Sequence, residues 1–300
     1  MGEYRSGFAG IIGRPNVGKS TLLNRLVGQK IAIMSDKPQT TRNRILGILT
    51  TDRYQIVFLD TPGIHKPKHQ LGEYMVTVAQ KTLEEVDVIL YVVDVSLAPG
   101  LGEEFIIAQL QKVPTPKILV LNKIDLVEEG VVKERESFFR ARLTFNAICP
   151  VSALEGTNVS LLPDLISSFL PQGPPYYPAD MVTDQPERFI MAELIREQVL
   201  RITREEVPHA VAVVVEEIVP RPNNYLYVEA IIYCERESQK GILVGQGGQR
   251  LKEIGTRARE EIEALLGNPI YLDLRVKVKK NWRRQEQALR QLGYDRRLLQ

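Results

Sequence analysis

Cysteine, histidine and long apolar runs are all scarce in this chain of 300 residues. It contains two cysteines, Cys149 and Cys234, and three histidines. The cysteines are far apart and lack the close spacing of zinc ligands, so we expect two reduced thiols and neither a zinc site nor a disulfide framework. No run of about 18 uncharged apolar residues occurs, which excludes a membrane-spanning helix. These absences favour a cytoplasmic protein, with peripheral attachment to the inner face of the cell membrane left open.

The net charge is low but unevenly distributed. The whole chain carries 39 Lys and Arg against 37 Asp and Glu, whereas residues 240–300 alone carry 14 basic and seven acidic residues. A local positive excess of this kind favours an anionic polymer or an anionic membrane surface as a partner. A solvated face without a partner explains the charge equally well, so charge alone does not identify a function.

Short apolar runs alternate with helix-length amphipathic segments in the first half of the chain. The runs that predict buried strands are 8–12, 56–59, 88–93 and 117–121, and a further run ends at Val151. The segments that predict helices are 20–27, 73–85, 102–112, 132–143 and 159–169. This alternation predicts an α/β domain with a mostly parallel sheet and helices on both faces.

A proline-rich stretch separates this domain from a second one. Residues 171–180 read PQGPPYYPAD, and four prolines in ten residues cannot continue a helix. Beyond it the predicted order is helix, strand, strand, helix, helix and strand, at 186–204, 211–219, 225–234, 238–244, 249–266 and 270–278, with a basic helix at 281–293. We predict domains at 1–172 and 186–300, the second of the α+β class, joined by a linker at 173–185.

The first glycine-rich loop has the pattern of a phosphate-binding loop. Residues 13–20 read GRPNVGKS, which fits G-x-x-x-x-G-K-[ST] between a predicted strand and a predicted helix. Glycines let backbone N–H groups turn inward around phosphate oxygens, and the helix N-terminus adds favourable dipole charge. We expect Lys19 to reach the β and γ phosphates and Ser20 to bind Mg²⁺. The predicted nucleotide contacts here are Gly13, Arg14, Pro15, Asn16, Val17, Gly18, Lys19, Ser20 and Thr21.

Three more short motifs follow predicted strands and complete a guanine nucleotide site. They are Asp60-Thr61-Pro62-Gly63-Ile64, Asn122-Lys123-Ile124-Asp125 and Ser152-Ala153-Leu154. Asp60 can hold Mg²⁺, and the Gly63 N–H can sense the γ phosphate. The Asp125 carboxylate can accept hydrogen bonds from guanine N1–H and the 2-amino group, which adenine does not offer in that arrangement. Lys123 can lie along the base, and a backbone N–H near Ala153 can meet guanine O6.

The loop before the second strand supplies the predicted switch. We choose Thr41 over Thr40 as the residue that binds Mg²⁺ only when the γ phosphate is present, so that hydrolysis releases the loop. Together with Lys19 and Gly63, Thr41 forms the expected catalytic set.

One position departs from the usual pattern. Ile64 stands where many GTPases have a glutamine that orients the attacking water. We therefore expect slow intrinsic hydrolysis, with the water placed by backbone, by another group or by a partner. His65 is better explained as an exposed switch residue than as a base, and Asn16 is a candidate for orienting K⁺ near the phosphates.

A second glycine loop has a different character. Residues 245–248 read GQGG and lack the lysine and Ser/Thr of a nucleotide loop. They lie between two predicted helices, and basic residues follow, which suits a backbone grip on a polynucleotide. The predicted RNA contacts are Ile242, Val244, Gly245, Gln246, Gly247, Gly248, Arg250, Lys252, Lys279 and Lys280, with Leu243 as a further apolar neighbour. A glycine turn with a basic surface is the alternative.

The motifs GRPNVGKST, PQTTR, DTPGI, NKID and VSAL, with the proline-rich joint and the second domain, resemble the Era family of bacterial GTPases over nearly the whole chain. The element order around the second glycine loop resembles a type II KH domain. The resemblance implies a ribosome assembly factor that binds the 3′ end of 16S rRNA in the GTP state, acts on the 30S subunit and leaves after hydrolysis. A monomer is the default expectation for the oligomeric state.

Two rival functions remain at this stage. The basic C-terminal region suits a membrane-surface signalling GTPase on anionic lipid, with Trp282, Ala288, Leu289 and Leu292 as its weak apolar face. A GTP-dependent scaffold whose second domain binds protein is the other rival.

Overall fold

The computed structural model describes residues 3–37, 39–64, 69–295 and 297. His65, for which the sequence suggested no catalytic role, lies outside these residues. The chain divides into two compact units. The first contains residues 1–32, 41–67 and 75–184, and the second contains 33–40, 68–74 and 185–300.

The first unit is built on a six-stranded sheet of order β2-β3-β1-β4-β5-β6. Its strands are β1 Arg5–Ile12, β2 Ile45–Thr50, β3 Tyr54–Asp60, β4 Val88–Asp94, β5 Lys117–Asn122 and β6 Ala147–Val151. All neighbouring strands pair in parallel except β2, which runs antiparallel to β3 at the edge. The helices are α1 Lys19–Val27, α2 Gln70–Glu85, of which residues 75–85 belong to this unit, α3 Leu101–Leu110, α4 Glu129–Arg140 and α5 Leu162–Ser167.

Burial explains why the strands read as continuous apolar runs. All seven residues of β3 are buried, and the central β4 is buried from Val88 to Val93. Strands covered on both faces have no solvent side and therefore show no polar alternation. The parallel strands end at one edge of the sheet, and the motif loops follow β1, β3, β5 and β6 there.

The proline-rich segment is tied to the first unit. The buried amide of Gln55 donates to the Tyr177 carbonyl and accepts the N–H groups of Tyr176 and Tyr177, at 2.7–2.9 Å. Further along, Thr183 donates to the Leu46 carbonyl at 2.6 Å. Residues 173–184, which make up nearly all of the predicted linker at 173–185, therefore belong to the first unit by their contacts.

The second unit packs helices against a three-stranded sheet of order β7-β8-β9. Its strands are β7 Ala212–Arg221, β8 Tyr225–Cys234 and β9 Ile270–Val278, with β8 antiparallel to β7 and parallel to β9. Its helices are α6 Glu187–Ile202, α7 Val207–Ala210, α8 Glu237–Val244, α9 Gln249–Leu266 and α10 Glu286–Gln291. In α9, Ile254, Ala258 and Ile262 recur every four residues and form its buried stripe.

The C-terminal helix differs from the prediction of one basic helix over 281–293. The chain forms a 3-10 turn at Trp282–Arg284 and then the six-residue α10. Trp282, Ala288, Leu289 and Leu292 are all at least nine-tenths buried. The apolar face proposed for a lipid surface is thus part of the core of this unit. Within the described residues, no helix combines the length and apolar character needed to cross a membrane.

Candidate functional site

The phosphate loop connects β1 to α1. Gly18 adopts a left-handed conformation with φ 97°, and a Cβ there would lie 2.3 Å from the Asn122 amide nitrogen, so only glycine fits. Lys19 is 6% exposed and its Nζ donates to the Arg14 carbonyl at 2.8 Å. Burial lowers the Lys19 pKa to about 8, while the charges of Asp60 and Glu103 oppose the shift. A nucleotide phosphate bound in this loop would stabilise the charged form of Lys19, which burial disfavours.

Three oxygen-bearing side chains from separate elements meet at the mouth of this loop. Ser20 at the start of α1 donates to Asp60 Oδ2 at 2.7 Å, and its Oγ lies 2.8 Å from the hydroxyl of Thr41. Asp60 ends β3 and is fully buried. Burial raises its pKa to about 6, with Lys19 and the hydroxyls of Ser20 and Thr41 acting in the opposite direction.

This arrangement fits a magnesium ion. Asp60 Oδ1 is buried and accepts no hydrogen bond from the described part of the chain. A buried carboxylate oxygen without a donor is costly, and a cation removes that cost. Hydroxyl and carboxylate oxygens are the ligands that Mg²⁺ prefers. Ser20, Thr41 and Asp60 are therefore placed together as the sequence analysis predicted for a metal site.

The two candidate switch threonines have different surroundings. Thr41 faces Ser20 and Asp60, whereas Thr40 donates its hydroxyl to the Lys37 carbonyl at 2.6 Å. Thr40 is thus directed into its own loop and away from the carboxylate. The geometry favours Thr41 as the ligand.

The loop after β3 closes on the phosphate loop from the other side. A Cβ on Gly63 would lie 2.5 Å from the Pro15 nitrogen, so the two backbones approach as closely as glycine permits. The Ile64 N–H donates to the Gly13 carbonyl at 3.2 Å. The Ile64 side chain is 2% exposed and packs in the core of the first unit. This side chain neither reaches nor orients a water molecule.

The loops after β5 and β6 form the end of the site predicted for the base. The Asn122 amide donates to the Val17 carbonyl at 2.8 Å and accepts the Ala153 N–H at 2.9 Å. Asn122 thereby ties the phosphate loop to the loop after β6. Asp125 is exposed in the 3-10 turn Ile124–Leu126. The Ala153 N–H already has Asn122 as its acceptor, so the contact predicted between guanine O6 and a backbone N–H near Ala153 would fall to a neighbouring amide.

The other predicted residues lie in the same loops. Val17 is buried, Arg14 pairs with Glu103 at 3.5 Å, and Thr61 donates its hydroxyl to the Ile11 carbonyl at 2.9 Å. Ser152 is fully buried and its hydroxyl accepts the Glu155 N–H, whereas Leu154 is two-thirds exposed. Pro15, Asn16, Pro62 and Ile124 occupy intervening positions of these loops and turns, and Thr21 lies in the first turn of α1.

Sequence reasoning missed two charged residues at the base end. Asp94, the last residue of β4, contacts Lys123 Nζ at 2.5 Å. Arg25 in the last turn of α1 donates to the carbonyl oxygens of Ala153 and Leu154. The available signal for Asp94 was a carboxylate ending an apolar strand, as Asp60 does. Arg25 carries no signal of its own in the sequence.

The second glycine loop joins α8 to α9. Gly245, Gly247 and Gly248 have φ of 72°, 58° and 80°. A Cβ at Gly245 would lie 2.8 Å from the Arg250 Cβ, whereas Gly247 and Gly248 face open space. Arg250 donates to the Ile242 carbonyl at 2.6 Å and so braces the loop across the end of α8. The loop presents bare backbone at the surface.

A groove of about 570 Å³ opens beside this loop, between α9 and β9. Its charged members are Lys252 and Arg259, and its apolar members include Leu251 and Leu274. Tyr271, 61% exposed and stacked on Tyr227 at 5.9 Å, also lines it. Among the predicted contacts, Gly248 and Lys252 line the groove.

The remaining predicted contacts have other places. Ile242, Val244, Gln246 and Lys280 are at least partly exposed, outside the groove lining. Lys279 donates to Gln291 at 2.6 Å. Leu243, expected at the groove floor, is fully buried in the core, because the helical period turns it inward from α8.

The comparisons with known proteins agree with both halves of this description. A family model described as "50S ribosome-binding GTPase" matches residues 8–123, and one described as "KH domain" matches residues 206–283. The GTPase Era of Heliobacterium modesticaldum is 58% identical over 300 residues, which cover 99% of this chain and all of that protein. The GTPase Era of Staphylococcus haemolyticus is 53% identical over 98% of both chains.

Two solved structures extend the similarity to three dimensions. A variant of Aquifex aeolicus Era bound to GDP·AlF4⁻ has a TM-score of 0.93, and Era in complex with MgGDPNP and nucleotides 1506–1542 of 16S ribosomal RNA has a TM-score of 0.94. Each is 43% identical to this chain and covers 97% of it and 99% of its own length. The predicted fold, an α/β GTPase domain followed by a KH domain, is confirmed, and this chain belongs to the Era family of GTPases.

Proposed function

We propose that this GTPase binds the 3′-end region of 16S rRNA through the groove between α9 and β9, and that it acts in assembly of the 30S subunit. The observation that supports RNA binding is the exposed glycine loop beside a groove lined by basic, apolar and aromatic residues. One relative of this family has been solved with nucleotides 1506–1542 of 16S rRNA.

The nucleotide site works by holding phosphates and ordering loops. Ser20, Asp60 and Thr41 would hold Mg²⁺, which when bound neutralises charge on the phosphate oxygens. Lys19 and the inward-facing N–H groups hold the phosphate chain, and the Gly63 N–H meets the γ phosphate. Asp125 selects guanine, and Asn122 keeps its loop in register with the phosphate loop.

Water placement must come from groups other than the Ile64 side chain, which is buried in the core. We assign it to backbone of the loop after Asp60. Asn16, exposed in the phosphate loop with φ 65°, would orient K⁺ where it can stabilise the transition-state charge.

The potassium assignment predicts that hydrolysis depends on the monovalent cation. Replacing K⁺ by Na⁺ at constant ionic strength should slow GTP hydrolysis about 10-fold or more. Asn16→Ala should be slow in both salts. Equal wild-type rates in K⁺, Na⁺ and N-methylglucamine would remove K⁺ from the mechanism.

The RNA grip combines backbone and side chains. Gly247 and Gly248 allow the loop to press on phosphodiester oxygens, and Lys252 and Arg259 add charge. Leu251, Leu274 and Tyr271 offer apolar and aromatic surface to unstacked bases. The membrane rival loses its basis because the apolar residues of its C-terminal helix are buried.

The test adds negative charge to the loop without straining it. Gln246 is exposed, and Gly247 has open space and a conformation that Asp tolerates, so Gln246→Asp/Gly247→Asp should fold normally. Two carboxylates about 4 Å from phosphates cost about 1 kcal/mol each in water, so RNA affinity should fall about 30-fold. The probe is a labelled RNA of the 16S 3′-end sequence, and GTP affinity should be unchanged.

The matched control is Gln285→Asp/Gln287→Asp, which adds the same charge at two exposed positions, the N-cap of α10 and its second residue. It should bind RNA nearly as tightly as wild type. If the loop variant and the control bind alike, the glycine loop is a turn and the groove is not the RNA site.

A further inference from the structure

Lys123 is held in a defined position by its backbone conformation and by an ion pair. It adopts a left-handed backbone conformation with φ 67° between β5 and the 3-10 turn that carries Asp125. Such a conformation is uncommon for a residue with a Cβ and persists where neighbours fix it. Its Nζ contacts Asp94 Oδ2 at 2.5 Å, with the two side chains 30% and 6% exposed.

Asp94 is itself fixed through both carboxylate oxygens. Oδ1 accepts the Ser96 N–H at 3.0 Å and the Ser96 hydroxyl at 2.5 Å, which leaves Oδ2 for Lys123. The parallel register of β4 and β5 places Asp94 opposite Asn122, and the Val95 N–H donates to the Asn122 carbonyl at 3.0 Å. The carboxylate is thus attached to the strand ends that carry the base loop.

We propose that Asp94 is a positioning residue for the guanine ring, an inference that rests on the proposed nucleotide site. Asp94 anchors the ammonium of Lys123 and thereby keeps the aliphatic part of the lysine side chain extended. This aliphatic part forms a wall against which one face of the base packs, and the wall is in place before the nucleotide binds. An unanchored lysine loses up to about 2 kcal/mol of rotamer freedom when a ligand orders it. The anchored stem has lost that freedom before the nucleotide arrives.

The positioning role of Asp94 predicts how its substitution changes nucleotide affinity and kcat. The wall touches the ring, which GDP and GTP share, and it lies apart from the γ phosphate. Asp94→Asn keeps the oxygen that accepts from Ser96 and removes the charge that anchors Lys123. Affinity for GDP and for a GTP analogue should therefore fall by the same factor, about 10-fold, while kcat at saturating GTP stays unchanged.

Two further readouts separate positioning from a general loss of structure. The ratio of GDP to IDP affinity should not change in Asp94→Asn, because the 2-amino group is read by Asp125 and not by the wall. Lys123→Met removes the ammonium, so adding Asp94→Asn to it should cost nothing more. This double-mutant cycle, measured by dissociation of a fluorescent GDP, isolates the Asp94–Lys123 interaction.

The matched control is Asp87→Asn, just before the other end of β4. Its carboxylate accepts the Phe8 N–H at 2.8 Å and lies at the opposite end of the strand from the base. It should change the melting temperature and leave nucleotide affinity as in wild type. Should Asp94→Asn not fold, Lys123→Met alone must show the equal loss for GDP and GTP.

The outcomes discriminate clearly. Unchanged affinity in Asp94→Asn, a loss confined to GTP, or additive effects in the cycle each overturn the role of Asp94. A wild type that binds ATP as tightly as GTP overturns the proposed guanine site instead. Competition with ATP is therefore measured first.

Discussion

At the residue scale, Asp60 is a buried carboxylate, with an oxygen left unsatisfied by the described residues, at the position predicted to hold Mg²⁺. Its carboxylate is fully buried, its pKa is raised to about 6 by burial, and one of its oxygens accepts no hydrogen bond from the described residues. We predict that Asp60→Asn lowers GTP hydrolysis about 100-fold, because a bound metal contributes several kcal/mol of charge stabilisation. The measurement is the hydrolysis rate as a function of Mg²⁺ concentration.

The same residue predicts a pH dependence with a definite sign. The carboxylate form binds the ion, and a pKa raised to about 6 means that protons compete as the pH falls through that value. Wild type should lose Mg²⁺ affinity about tenfold per unit below pH 6, and Asp60→Asn should lack this slope. Asp52→Asn, an exposed carboxylate in the turn before β3, should behave as wild type. A wild-type profile that stays flat from pH 7 to 5 contradicts the assignment.

Residues of the motifs could be predicted because their chemistry is local. Gly18, Lys19 and Ser20 depend on one turn between a strand and a helix, so a pattern of eight residues predicts their place. Asp94 and Arg25 could not be found in this way. Asp94 reaches Lys123 only because β4 and β5 pair in a particular register, and Arg25 reaches the Ala153 carbonyl across 128 positions of sequence. Such contacts depend on tertiary structure.

At the element scale, the differences from prediction have physical causes. The run 281–293 has a helical charge pattern, yet the buried Trp282 donates its indole N–H to the Ala210 carbonyl at 2.9 Å and the chain turns there. The helix that follows has only six residues. The prolines predicted an inter-domain linker, and the structure adds that the amide of Gln55 binds the backbone of Tyr176 and Tyr177 within it. Prolines in a sequence predict where a helix ends, but they do not predict which residues the non-helical segment contacts.

Helix α6 is an element with contacts that sequence periodicity did not anticipate. Its Arg196 is fully buried, pairs with Glu193 and donates to the Thr40 carbonyl. Its Glu197, also fully buried, accepts the Met34 N–H at 3.1 Å. Residues 33–40 therefore pack with α6 in the second unit, and the next residue in the chain is Thr41. Arg196 and Glu197, both buried in α6, thus bind the segment that precedes Thr41.

At the scale of the whole molecule, this attachment offers a route for linkage between GTP and RNA. If GTP orders Thr41, it orders a loop whose preceding residues 33–40 belong to the second unit, which we propose binds RNA. Coupling between two ligands is reciprocal, so GTP should raise RNA affinity by the same factor as RNA raises GTP affinity. Typical couplings are about 5- to 150-fold. The measurement is RNA affinity with a GTP analogue and with GDP, and nucleotide affinity with and without RNA.

We predict that Arg196→Met reduces this coupling factor to about 3-fold or less, since it removes the bond to the Thr40 carbonyl and keeps most of the side-chain volume. RNA affinity in the GDP state should stay close to wild type, which shows that the groove is intact. Arg188→Met is the matched control, because Arg188 is an exposed arginine on the same helix, about two turns before Arg196. If Arg196→Met retains full coupling, the linkage runs through other contacts, and the residues bonded to α6 serve stability alone.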